Sequence, residues 1–329
     1  MGLGLFSNFG LVMNYDSGWV GRYYALENTL IGVSVTPGAS YRLTEQWSIG
    51  AAANIMIGYL NYNAAINNNV LAVTNRPDGE IQARDTTVGA GGNFGLLYEP
   101  RNGTRIGVTY YSQISLNFGT VPAFTGLSNP VFVAIQNRGL LGKDIDLGMT
   151  VPQSVMLSSY HEFTDRWAMM LDFGWQQWSR FGKVDIGITG GNVDPSLTTD
   201  INYQDTYHVA LGNRYRLNDK WLVNTGFAWD SSMVKDQDRT VTLPVGQVFR
   251  FGLGAEWQAR QKLNVAFSYE LAYTGDMPVA QNRGPLAGAV VGSFPGTYLN
   301  FFQVSFIWGK GAGGWAKGAG GAGSAKEAS

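Results

Sequence analysis

Five times along this chain, two stretches of alternating apolar and polar residues meet at a short polar corner, while the stretches flanking each pair are joined by much longer segments. The corners are Arg42–Gln46, Glu99–Thr104, Phe163–Arg166, Leu217–Lys220 and Gln258–Lys262, and the long connections include 62–85 and 119–149. Short turns on one side and long loops on the other are the layout of an antiparallel transmembrane β-barrel.

The alternation itself supports strands. Successive side chains of a strand point to opposite faces, so a lipid-facing row occupies every second position. In 105–118, Ile106, Val108, Tyr110, Ile114, Leu116 and Phe118 share one phase, broken only by Ser112, while Arg105, Gly107, Thr109, Tyr111, Gln113, Ser115 and Asn117 share the other. The same split separates Tyr207, Val209, Leu211, Tyr215 and Leu217 from His208, Gly212, Arg214 and Arg216, and it recurs over 263–274. Trp47, Trp167, Trp221 and Trp257 stand where strands leave the corners, as in an aromatic girdle at a bilayer interface. A soluble β-sandwich also alternates, but its core seldom places so many aromatics on one phase.

Composition agrees. Charged residues make up 14% of the 329 residues and aromatics 13%, whereas a soluble domain carries about 25% charge. No run of 18 apolar residues exists to make a membrane helix. A net charge of -1 without a basic run argues against nucleic acid, and the absence of cysteine excludes disulfides and thiolate metal sites.

Twelve strands are expected, near 2–12, 30–43, 46–61, 86–99, 104–119, 150–163, 166–187, 205–217, 220–230, 247–259, 262–275 and 297–309. An even number puts both ends on the short-turn side, which is periplasmic in bacterial barrels, with the long loops extracellular. Residues 1–310 form this barrel, and the Gly/Ala-rich segment 311–329 reads as a flexible tail. The chain begins without the basic n-region and cleavage site of a secretory signal.

Little in the sequence suggests bond-making chemistry. Gly318–Gly323 matches GxGxxG formally, but no strand leads into it. His161 and His208 lack a nucleophile-elbow serine, and Asp144/Asp146 and Asp236/Asp238 lack calcium-loop spacing. Neither a cofactor nor a metal is expected, and the chain does not read as an enzyme.

The inward phase is more informative. Met56, Leu60, Tyr111, Met156, Tyr160, Met170 and Trp178 fall in it, a lining suited to an apolar ligand rather than to a water-filled porin. Arg180, Arg214 and Arg250 are candidate partners for a ligand carboxylate, the plainer alternative being pairing with lumen Asp172 and Glu270. Loop 119–149 carries Phe124, Leu127, Val131, Phe132, Ile135, Leu140 and Leu141, which points to an outward-facing apolar groove.

Four stretches carry a resemblance. They are Trp19–Ala25; Asn93–Pro100 with Gly103–Val108; Val151–Pro152 followed by Trp175–Phe181; and Ala210–Gly212 through Arg216–Trp221. They resemble the FadL-like family of outer-membrane long-chain fatty-acid transporters, which includes toluene and other aromatic-hydrocarbon channels, and the likeness spans nearly all of 2–309. The resemblance implies a fourteen-stranded barrel, an N-terminal plug, and a kinked strand that lets ligand leave sideways into the bilayer. This chain looks like such a protein without its first two strands and plug, which agrees with an N-terminal truncation. On the same basis the kinked strand is the first one here, with Ser7, Asn8, Phe9 and Gly10 at the kink, where glycine suits a bend. Without a plug the family's gated pocket would be incomplete. The family's terminal aromatic is also replaced by a soft tail, Phe306 and Trp308 being the nearest aromatics.

The expected function is passive uptake of hydrophobic molecules across the bacterial outer membrane, foremost long-chain fatty acids, by a monomer in contact with outer-membrane lipid. An aromatic-hydrocarbon channel is the alternative within the class. An outer-membrane phospholipase and a general porin are the alternatives outside it.

Overall fold

The computed structural model describes residues 1–71, 75–137, 139–181, 183–189, 197–283 and 287–308, and only the backbone of 183–189 and 197–200. The segment expected to be a tail, 311–329, lies outside the described residues. The chain opens with β1 (Gly2–Asn14), β2 (Glu27–Arg42), β3 (Trp47–Ile66), β4 (Gly79–Arg101) and β5 (Thr104–Tyr111). There follow β6 (Ile114–Thr120), β7 (Ala123–Thr125), α1 (Asn129–Asn137), β8 (Asp144–Val151), β9 (Ser154–Thr164), β10 (Trp167–Gln176), α2 (Trp178–Phe181), β11 (Lys183–Thr189) and β12 (Leu197–Asp200). The last five are β13 (Thr206–Arg216), β14 (Trp221–Asp230), β15 (Val248–Arg260), β16 (Leu263–Asn282) and β17 (Ala289–Trp308).

Twelve of these strands form one antiparallel path, β1-β2-β3-β4-β5-β9-β10-β13-β14-β15-β16-β17, and β7 adds a short pairing to β4. The five short corners fall where the alternation placed them. Three share a device: Thr44 Oγ1, Thr164 Oγ1 and Asn218 Oδ1 each accept the backbone N–H of the tryptophan three residues on, at 3.0 Å. A side chain that mimics a backbone acceptor turns the chain without help from neighbours. In each case it aims Trp47, Trp167 or Trp221 into the girdle.

The outer face is apolar. Leu211, Phe227, Phe251 and Leu271 occupy one cross-strand rung, and the first three are 41–50% exposed. A large apolar side chain gains about 1.5–3 kcal/mol on leaving water, so a wall of such rungs is stable only against hydrocarbon.

The loop between β1 and β2 meets the loops that follow β14 and β16. Tyr24, between β1 and β2, donates its hydroxyl to Gly288 O between β16 and β17 at 2.6 Å. Tyr15 and Asn28 reach Val241 O and Thr242 O, at 2.7 and 2.6 Å. Tyr24, Val241, Val279 and Val290 then form a small buried cluster across the seam. Among the described residues β1 and β17 end the path and share no ladder.

One expectation fails instructively. The stretch 104–119 is not one strand with Ile114, Leu116 and Phe118 toward lipid. It breaks at Ser112, and β6 turns inward, with those side chains 2%, 0% and 1% exposed. Ser112 N donates to Gly92 O at 2.9 Å, and Ser112 Oγ accepts Gly92 N at 2.8 Å. The serine side chain thus satisfies the wall's next donor, and the chain behind it is free to leave the ladder. Likewise, 166–187 is three elements, because Asp205 accepts Trp175 Nε1, Ser179 N and Ser179 Oγ and winds the chain into α2. β6, β8, β11 and β12 form a second antiparallel sheet, in the order β12-β11-β8-β6.

β6 lies on glycines of the inner wall. A Cβ on Gly89 would stand 2.5 Å from Ile114 Cγ2 and 2.6 Å from Ser115 O, and one on Gly58 would stand 3.0 Å from Leu116. Gly89→Ala should therefore lift β6 at a cost of about 1–3 kcal/mol. Limited proteolysis should cut within 112–120 faster than in the parent while the wall stays intact, and unchanged cleavage would show that β6 is not seated through Gly89.

Candidate functional site

Three features line the way from the loops to the wall: an apolar cluster under the inner sheet, a pair of clamped loops, and a bulge in β1. The cluster joins Leu30, Met56 and Leu60 of β2 and β3 to Ile114, Leu116 and Phe118 of β6, Met149 of β8, Phe181 of α2, and the loop residues Tyr203, Met233 and Val234. Met56 and Leu60 do point inward, as expected, but they are 0% and 8% exposed beneath β6 rather than open to the lumen. Trp178 sits on α2 instead of a wall strand and meets Phe181 edge-on at 5.3 Å. Phe181 stacks on Tyr203 at 6.2 Å and 4°. Burial pushes the Tyr203 phenol well above its ordinary range, so it stays neutral.

Of the other expected lumen residues, Met156, Tyr160 and Met170 are half-buried on the inner face and Tyr111 closes β5. Met156 lies against Gly174 and Met170 against Gly212. Tyr160 donates to Glu162 at 2.8 Å, with the Arg105 guanidinium 5.6 Å from its ring. The three arginines part company. Arg180 is exposed on α2, not on a wall strand. Arg214 is half-buried on the inner phase of β13. Arg250 is already engaged by carboxylates of its own wall, with Asp230 at 3.2 Å and Glu270 at 4.0 Å.

Loops 62–85 and 119–149 are joined by the β4–β7 ladder and by a buried amide. Asn68, 1% exposed, donates to Pro77 O at 2.7 Å and Gly126 O at 2.8 Å. Its Oδ1 accepts Ser128 N at 2.7 Å. Phe124 pairs opposite Ile81 in the β4–β7 ladder, and Leu127 packs over Gly79. α1 starts just beyond, with Pro130 in its first turn, where a missing N–H costs nothing. Its Val131 is a buried anchor, 5% exposed, and not a groove surface. Phe132 and Val133 are 43% and 49% exposed, while Ile135, Leu140 and Leu141 are half-buried. At the loop edge Arg22 pairs with Asp78 at 2.7 Å, and burial together with Asp78 holds the Tyr23 phenol above its ordinary range.

The kink expected at Ser7–Gly10 is a bulge centred on Asn8. Ser7 pairs with Val33 and Phe9 with Gly32, leaving Asn8 outside the ladder. Ser7 Oγ donates to Phe9 O and Gly32 O, at 3.1 and 3.2 Å, and Ser34 donates to the Asn8 side chain. One extra residue reverses the facing of everything after it. Leu3 and Leu5 are outward before the bulge and Val12 after it, while Phe9 turns inward to the apolar cluster. Gly10 itself pairs with Ile31, and a Cβ there would meet nothing within 4 Å.

An apolar outer face, aromatic girdles at the corners and loops gathered on one side define an outer-membrane β-barrel. Residues 1–300 match the model of the outer membrane protein transport protein family (OMPP1/FadL/TodX), and the chain belongs to that family. It is 27% identical over 293 residues to outer membrane protein P1 of Haemophilus influenzae, covering 82% of this chain and 61% of that protein. With the long-chain fatty acid transport protein of Salmonella typhi it is 26% identical, covering 86% of this chain and 68% of the relative. The crystal structure of a Pseudomonas aeruginosa FadL homologue superposes with a TM-score of 0.80 at 18% identity over 94% of this chain and 74% of that one. The Pseudomonas putida toluene transporter TodX does so at 0.62 and 15%, over 93% and 78%. The protein is therefore one of the bacterial outer membrane.

Asn68→Ala would strip partners from Ser128 N, Pro77 O and Gly126 O, at about 1–3 kcal/mol for each buried group left unmade. Hydrogen exchange across 126–137 should accelerate with the wall strands unchanged. Equal protection in both proteins would refute the clamp.

Proposed function

We propose that this chain is a passive channel for hydrophobic small molecules, with long-chain fatty acids as its principal cargo. Ligand is captured on exposed apolar side chains of the clamped loops, Phe132 and Val133 foremost. It then passes along the apolar cluster and leaves sideways at the Asn8 bulge into the bilayer.

The observation that carries this reading is the continuity of the cluster. It begins at the loop residues Tyr203, Met233 and Val234, runs through Leu116 and Met56, and ends at Phe9, next to the one residue that β1 leaves out of its ladder. An apolar path that reaches a gap in wall pairing suits delivery into hydrocarbon better than delivery into water. The family supports the channel, and several relatives are named for fatty-acid transport. Aromatic hydrocarbons are the second reading, favoured by the flat faces of Trp178, Phe181 and Tyr203 and by relatives named as toluene transporters.

Phe132→Asp should weaken capture of a fluorescent fatty acid by about tenfold or more, because a charge placed in an apolar contact forfeits about 1.5–3 kcal/mol of burial and adds desolvation. Equilibrium binding titration checks it, and equal affinity would remove α1 from the capture surface. Deleting Asn8 should restore an unbroken ladder and slow transfer into liposome bilayers with capture retained; stopped-flow transfer at the parent rate would exclude exit there.

A further inference from the structure

We propose that β6 is an internal stopper: its Ile114, Leu116 and Phe118 occupy the place of the cargo's apolar chain, and cargo passes only by displacing them from the wall. This regulation acts on the apolar route described for uptake of hydrophobic molecules and rests on that reading.

The route is shut by packing. Met56 and Leu60 on the wall, and Ile114, Leu116 and Phe118 over them, are all 0–8% exposed, so side chains fill the space between wall and β6. The same cluster continues through Leu30 to Phe9 at the bulge. A molecule that follows it has to replace side chains already there.

β6 has the features of a removable part. Beneath it the wall offers glycine at three inward positions, Gly58 on β3 and Gly89 and Gly91 on β4, with Met56 opposite Gly89 and Asn54 opposite Gly91. A Cβ on Gly58 would stand 3.0 Å from Leu116 Cδ1, one on Gly89 2.5 Å from Ile114 Cγ2, and one on Gly91 2.6 Å from Ser112 Oγ. The wall there contributes backbone alone, and it forms a trough that the side chains of β6 fill.

The fastening is slight by comparison. Among the described residues β6 shares a ladder with β8 and none with the wall. At its far end Gly119 N donates to Asp85 Oδ2 at 2.8 Å and Thr120 Oγ1 donates to Arg84 O at 3.1 Å. Both bonds are exposed to water, which can take over as partner when β6 lifts.

These features make the exchange selective. Apolar contact is non-directional, so an alkyl chain laid in the glycine trough restores the burial that the wall loses as β6 leaves. Met56 and Met149, in the same cluster, are flexible enough to pack against either occupant. A polar solute restores none of that burial, so the stopper stays seated against it. Without cargo an empty trough would expose the wall to water, and β6 returns.

The chain has no cysteine, so Leu116→Cys introduces a single thiol whose labelling by a water-soluble maleimide reports whether β6 is seated. In protein reconstituted in liposomes, oleate should speed that labelling about tenfold or more, since the unseated state is the minor one without cargo. Labelling slowed or unchanged by oleate, with titration showing oleate bound, means that cargo travels past a seated β6; it overturns the stopper and leaves uptake standing. Asp85→Ala cuts one tie and should raise the rate of fluorescent fatty-acid transfer about fivefold, as for the loss of one net hydrogen bond. A rate at or below that of the parent in an assembled variant overturns the stopper as well, and this variant carries the test if Leu116→Cys fails to assemble. Absence of oleate binding to the parent overturns uptake itself, and the stopper with it.

Discussion

Inside a bilayer every backbone N–H and C=O has to find a partner within the protein, because hydrocarbon offers none and each orphan costs several kcal/mol. That one requirement explains both the regularity of the wall and the way the chain departs from it. At Ser112 the serine hydroxyl accepts the amide that β6 abandons. At Asn8 the neighbouring Ser7 hydroxyl binds Phe9 O and Gly32 O as the ladder shifts. In both places a small hydroxyl residue beside the irregularity supplies the missing partner.

The wall was legible in the sequence because its two determinants are local: alternation gives the strands and the short corners give their pairing. All five corners and all twelve wall strands follow from those. The inner sheet was not legible, since Ile114, Leu116 and Phe118 keep the same two-residue period whether they meet lipid or the cluster. Periodicity reports that a strand has an apolar face, not what the face touches. The visible clue was Ser112, a polar residue on the apolar phase, facing a β4 segment with glycine at positions 89 and 91. For the candidate site, the register shift in β1 falls within the 7–10 stretch that the resemblance singled out, while the surroundings of Met56, Leu60, Val131, Trp178 and Arg180 depended on which segments fold inward. The Thr/Asn-x-x-Trp pattern at 44–47, 164–167 and 218–221 is the local signal in the sequence for these self-closed corners.

The two halves of the interior differ in kind. Under the loops, beside β2 and β3, the chain has filled the bore with its own apolar side chains. Along β10 to β16 the wall is lined instead by small residues and paired charges, with room left beside them. The interior surface is thus apolar on one side and carries ion-paired side chains on the other.

The self-capped corners also bear on how such a wall comes to exist. Because Thr44, Thr164 and Asn218 close their turns using only residues within three positions, hairpins β2–β3, β9–β10 and β13–β14 each contain the instruction for their own reversal. Contacts between near neighbours form before distant ones, as their loop-closure entropy is small. These hairpins are then the natural starting units of assembly, each carrying its own interfacial tryptophan. The pairings that span the long loops come later, once the membrane has aligned pieces that already know where to turn.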